Sequence, residues 1–84
     1  MVYWIKHSGG YASYFPSISS ARATALKMAQ PGKDVKIYPS QTSKEPVEYV
    51  KFKSGKAITT RKVKIGRSYA WLDCPIKSNG ELIR

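Results

Sequence analysis

The sequence predicts an α+β domain in the order β-β-α-β-β-β-β, with an antiparallel or mixed sheet and one helix packed on one face. Short runs rich in Val, Ile, Thr, Tyr and Phe are separated by glycine-bearing turns, the pattern of strands joined by hairpins. A single stretch after Pro16 carries its small apolar residues at helical spacing, and Lys44–Arg67 reads as a long basic hairpin. One helix against one sheet is the economical packing of these elements.

Met1–Lys6 and Tyr11–Phe15 are the first two strands, with Ser8-Gly9-Gly10 turning between them. A Gly9-Gly10 turn would set Trp4 opposite Phe15 and Ile5 opposite Tyr14. Pro16 closes the second strand, and Ser17 stands where a helix N-cap belongs. Ile18, Ala21, Ala25, Met28 and Ala29 then form a narrow apolar stripe with Leu26 at its border, while Arg22, Thr24 and Lys27 fall outside it. The helix stops at Gln30-Pro31-Gly32, because proline cannot continue it and glycine suits a left-handed exit.

Asp34–Tyr38 alternates as a third strand, with Val35 and Ile37 against the helix and Lys36 and Tyr38 outward. The polar segment 39–46, bracketed by Pro39 and Pro46, is the longest loop. Strands at 47–53 and 56–65 flank a turn at Ser54-Gly55. With Lys53 opposite Lys56, Val47, Tyr49, Lys51, Lys53, Lys56, Ile58, Thr60, Lys62 and Lys64 share one face. Glu48, Val50, Phe52, Ala57, Thr59, Arg61, Val63 and Ile65 share the other, and Glu48 stands opposite Arg61 as its expected partner. A one-residue slip would mix the two sets. Ser68–Asp73 is a further short strand limited by Pro75, and Asn79-Gly80 marks a last small hairpin.

Eighty-four residues make one domain, which buries only roughly 60–65% of its unfolded surface. Its small core cannot hide every aromatic; Trp4, Phe15, Phe52 and one of Tyr69 or Trp71 are expected inside. A content of 42% apolar and 24% charged residues is that of a globular chain.

The formal charge is +10 and the pI about 10.0, which favours a polyanionic partner: nucleic acid first, an anionic membrane surface second, an acidic protein third. The charge is concentrated. Residues 44–67 carry Lys44, Lys51, Lys53, Lys56, Arg61, Lys62, Lys64 and Arg67 against only Glu45 and Glu48. Lysines at alternate strand positions recur at about 6–7 Å, close to every second phosphate at ~3.4 Å per step of a strand. The plain alternative is that outward lysines keep a sheet soluble and blunt its edge. Tyr49 and Ile58 among the lysines argue against that alternative.

Chemistry of other kinds lacks its residues. Cys74 is the only cysteine, which excludes an internal disulfide and a thiolate-rich metal site and fits a cytoplasmic setting. His7, beside the glycine turn, reads as a turn residue. Asp34, Glu45, Glu48, Asp73 and Glu81 are dispersed, so neither a catalytic triad nor a carboxylate pair can be read from spacing. Ser54-Gly55-Lys56 lacks the earlier glycine and the following hydroxyl of a phosphate loop. No apolar run approaches 18 residues, and no charged, apolar and cleavable order opens the chain, so membrane insertion and a signal peptide are not expected.

The expectation is therefore a non-enzymatic cytoplasmic domain without cofactor or metal that binds DNA or RNA through the phosphate backbone. Lys51, Lys53, Lys56, Lys62 and Lys64 form the grip, Tyr49 offers a stacking platform with Tyr38 as second choice, and Arg61 and Arg67 stand at the margin. A patch made mainly of lysine predicts little base preference. The rival expectation is a protein-interaction module, a small regulator or inhibitor of viral or mobile-element type, docking on an acidic protein surface. Strandedness, the choice between DNA and RNA, and oligomeric state are left open by the sequence.

Overall fold

The computed structural model describes residues 2–6, 12–30 and 32–83. The elements are β1 (Tyr3–Lys6), β2 (Ala12–Phe15), α1 (Ile18–Met28), β3 (Val35–Ile37), β4 (Glu48–Lys53), β5 (Lys56–Ile65) and β6 (Ser68–Pro75). This is the predicted order and class. The expected turn at Ser8-Gly9-Gly10, the strand ends at Met1 and Tyr11, His7, and the helix-stopping Pro31 lie outside the described residues.

β3-β4-β5-β6 form an antiparallel sheet and β1-β2 a second one. The two meet edge to edge where Trp4 and Tyr38 exchange backbone hydrogen bonds of 2.9 and 2.8 Å. The strand sequence across the molecule thus reads β2-β1-β3-β4-β5-β6.

The basic hairpin has the predicted register, with Lys53 opposite Lys56 and Glu48 opposite Arg61. Its two-residue turn places both Ser54 (φ 53°) and Gly55 (φ 77°) in the left-handed region, as a type I′ turn requires. β6 continues the ladder from Ile65 opposite Ser68 to Ile58 opposite Pro75, so it is longer than predicted. In β1-β2, Trp4 pairs with Tyr14 and Ile5 with Ser13, one residue away from the expected register. Trp4 is held by its backbone hydrogen bonds to Tyr38 and Ile5 by burial in the core, so tertiary contacts, and not the glycine dipeptide, set this pairing.

Ser17 caps α1, its hydroxyl accepting from the Ser20 amide at 3.2 Å, and Lys27 lies in the last turn where a cation offsets the helix dipole. The helix rests on the sheet through Ala21, Ala25 and Ala29, small side chains that let it approach Ile5, Ile37, Val50 and Ile76 closely. Met28, expected in the stripe, is exposed. Arg22, expected outside it, is 6% exposed.

Arg22 meets Glu48 in a two-pronged ion pair, Nε to Oε1 at 2.8 Å and Nη2 to Oε2 at 3.0 Å. Glu48 Oε1 also accepts from the Thr59 hydroxyl at 2.7 Å, and Arg22 Nη1 donates to the Gly80 carbonyl at 3.3 Å. The expected Glu48–Arg61 pair therefore does not form, although the backbone register is right: the carboxylate points under the helix, where a guanidinium matches it with parallel hydrogen bonds. Gly80 (φ 87°) presses on the helix backbone. A Cβ there would overlap the Ser19 carbonyl oxygen and stand 2.8 Å from the Ala23 nitrogen. The terminal turn that Asn79-Gly80 announced thus closes one end of the core.

Among the described residues, no helix is long and apolar enough to cross a membrane.

Candidate nucleic-acid interface

α1 covers one face of the sheet, and the opposite face carries no element among the described residues. Residues paired directly across strands point the same way, so the register assigns every side chain to a face. Glu48, Val50, Thr59 and Ile37 lie under the helix. On the open face are Lys36 of β3; Tyr49, Lys51 and Lys53 of β4; Lys56, Ile58, Thr60, Lys62 and Lys64 of β5; and Tyr69, Trp71 and Asp73 of β6. Trp4, opposite both Tyr38 and Tyr14, extends this face across the small sheet, together with Lys6.

The structure brings Lys51, Lys53, Lys56, Lys62 and Lys64 together on this face, and Arg67 sits in the exposed β5-β6 turn. Arg61 does not join them. It faces the helix side, half-buried, because it alternates with Thr60 and Lys62. Tyr49 is on the open face but half-buried, its ring edge-on to Trp71 at 5.2 Å between centroids.

Neither Tyr69 nor Trp71 is inside, contrary to expectation: they are 61% and 45% exposed. Trp4 is half-buried on the open face, edge-on to Tyr14 at 5.5 Å. Phe15 packs against the core, whereas Phe52, expected inside, is only half-buried. Tyr49 and Tyr38 were read from the sequence as the exposed rings, whereas Trp4, Tyr69 and Trp71 were missed because they come from other strands. The signal for Tyr69 and Trp71 was the two-residue turn Gly66-Arg67, with Gly66 at φ 61°, which folds β6 back so that Lys62 faces Trp71 and Lys64 faces Tyr69.

Cations and rings interleave here. Lys62 Nζ stands 5.0 Å from the Tyr69 ring centroid, and Lys6 Nζ 4.1 Å from that of Tyr38 while donating to the Ser43 carbonyl. Such contacts are worth about 0.5–1 kcal/mol where exposed.

Asp73 is the acid of the open face among the described residues. It accepts from the Thr60 hydroxyl at 2.7 Å and lies 3.9 Å from Lys51 Nζ and 3.7 Å from Lys53 Nζ. The Thr60 hydrogen bond, followed by the two lysines, holds its carboxyl below the ordinary 3.8, so it is ionised at neutral pH. Lys56, Lys62 and Lys64 have no carboxylate partner among the described residues. Lys53 and Lys56 stand directly opposite one another, an arrangement that costs stability. A sheet meant only to be soluble has no need of it.

Comparisons with protein-family models, with curated proteins and with solved structures found no match.

Proposed function

We propose that the chain is a small non-enzymatic nucleic-acid-binding domain. The open sheet face is its interface, contacting the phosphate backbone through Lys51, Lys53, Lys56, Lys62 and Lys64 with little base preference. The observation that carries this reading is the pairing of like charges on a face left uncovered: Lys53 against Lys56, with Lys62 and Lys64 lacking acid partners among the described residues. A polyanion relieves that repulsion and releases its own counterions. Arg67 supports the margin of the patch, and Arg61 drops out of it. Lone Cys74 suits a reducing, cytoplasmic compartment.

Titrating a labelled oligonucleotide at several salt concentrations tests the reading. Five phosphate contacts give a slope of log K against log salt of about −3.5 to −4.5; a slope near zero contradicts it.

The rival, docking on an acidic protein surface, draws on one separate observation. Beyond the helix, on its side of the sheet, Ile65 and Leu72 are 55% and 46% exposed beside Val63 and Ala70. Protein that ignores oligonucleotides at low salt yet co-purifies with one acidic partner would favour this second reading.

A further inference from the structure

The aromatic side chains of the open face are not scattered; they stand in line. Tyr14 pairs with Trp4, Trp4 with Tyr38, and Lys62 with Trp71. Val47 packs against the core and leaves this face; between Tyr38 and Trp71 stands Tyr49 of β4, opposite Lys36 and with its ring 5.2 Å from that of Trp71. The series Tyr14, Trp4, Tyr38, Tyr49 and Trp71 therefore runs across the open face from β2 to β6. At about 4.8 Å per strand it spans roughly 24 Å.

Lysines border it. Lys36 and Lys6 lie two residues along their strands from Tyr38 and Trp4, Lys51 lies beyond Tyr49, and Lys64 stands on the other side of Lys62.

We infer that this face takes single-stranded nucleic acid, laid across the strands with bases on the aromatic line and phosphates on the bordering lysines. The inference rests on the phosphate-binding reading above and adds strandedness and path to it. In a duplex the bases stack on one another and only the phosphate rims meet a surface, so Tyr38, Tyr14 and Trp71 would gain nothing. A single strand offers a ring face at every nucleotide, and ring stacking with flanking cations is how strands are held without base readout. Stretched to about twice the ~3.4 Å rise of a duplex strand, roughly four nucleotides match the length of the line. The Tyr49–Trp71 and Trp4–Tyr14 edge contacts hold rings at its two ends in place before any ligand arrives.

The test compares an oligothymidylate of eight residues with a hairpin duplex of the same phosphate count, at one low salt concentration. The expected result is tighter binding of the single strand by tenfold or more, with quenching of tryptophan fluorescence. Trp71→Ala and Tyr38→Ala should each weaken single-strand binding by about 5- to 150-fold, the range found for a base stacked on an aromatic ring, and leave duplex binding unchanged. Circular dichroism checks that each variant folds, and the wild-type comparison of the two ligands needs no variant. Equal affinity for both ligands, with no quenching, would overturn the single-strand inference while leaving the lysine grip standing. Loss of binding to both would overturn the grip as well.

Discussion

The two faces of one sheet treat charge in opposite ways. Beneath α1, the two buried charges are matched: Arg22 is answered by Glu48, Glu48 also by Thr59, and Arg22 also by the Gly80 carbonyl. Among the described residues, no buried side-chain polar atom is left without a partner. On the open face, Lys53 stands opposite Lys56, and among the described residues a single carboxylate, Asp73, is shared between Lys51 and Lys53. The covered face shows that this chain builds a matched ion pair where stability needs one. Leaving the other face mismatched is thus a trait of the surface itself, and it suits a ligand that brings its own negative charge.

The sharpest way to break the comparison is to disturb the matched side. Arg22→Met leaves the Glu48 carboxylate buried without its cation, which costs about 3–5 kcal/mol. That is a large part of the ~5–15 kcal/mol that holds a domain together. Urea unfolding should show the loss, while oligonucleotide affinity at temperatures where the variant remains folded should stay at the wild-type value.

The mismatched side should respond in the reverse sense. Lys56→Glu places a carboxylate directly opposite Lys53, so thermal unfolding should show a gain of about 0.2–1 kcal/mol. Its affinity for oligonucleotides should fall, and the salt slope should shrink by about 1. A residue whose replacement improves the fold and harms binding is retained for binding; a variant worse in both respects would contradict the reading.

Asp73 carries the smallest effect. Its carboxyl is held below 3.8 in the folded chain by Thr60 and then by Lys51 and Lys53, so its contribution to stability is complete above pH 3.8 and is lost as pH falls through the lowered value. Asp73→Asn should remove that part of the acid dependence. At neutral pH it adds one net positive charge to the face and should tighten oligonucleotide binding, by at most about fivefold on the ~1 kcal/mol scale of exposed ion pairs.

The hairpin could be read from sequence because its determinants are local: alternating side chains and a two-residue turn fix the register of β4 and β5 without help from the rest of the chain. The β1-β2 register could not, since it answers to the backbone hydrogen bonds of Trp4 with Tyr38 and to the burial of Ile5 in the core. Arg22 was legible by angle but concealed by identity. It falls on the Ile18–Ala25–Ala29 side of the helix, yet periodicity counts an arginine as solvent-facing, and its partner Glu48 was the acid already alternating onto the apolar face of the hairpin.

Tyr69 and Trp71 were misplaced for a geometric reason. The eleven-residue helix is roughly 16 Å long, whereas ten-residue β5 runs roughly 33 Å. The β5-β6 arm outreaches its cover, which leaves Ile65 and Leu72 exposed on the helix side, while the register turns Tyr69 and Trp71 to the opposite face beside Lys64 and Lys62, where no helix could enclose them.

The most direct test of the open face as the interface is a backbone-amide and indole shift map recorded while a thymidine octanucleotide is added. Perturbations gathered on Tyr38, Tyr49, Lys51, Lys62 and the Trp71 indole, with Ala21, Ala25 and Leu72 unmoved, are the expected result. Shifts confined to α1 or to the Ile65–Leu72 side, or no shifts at low salt, would contradict the account.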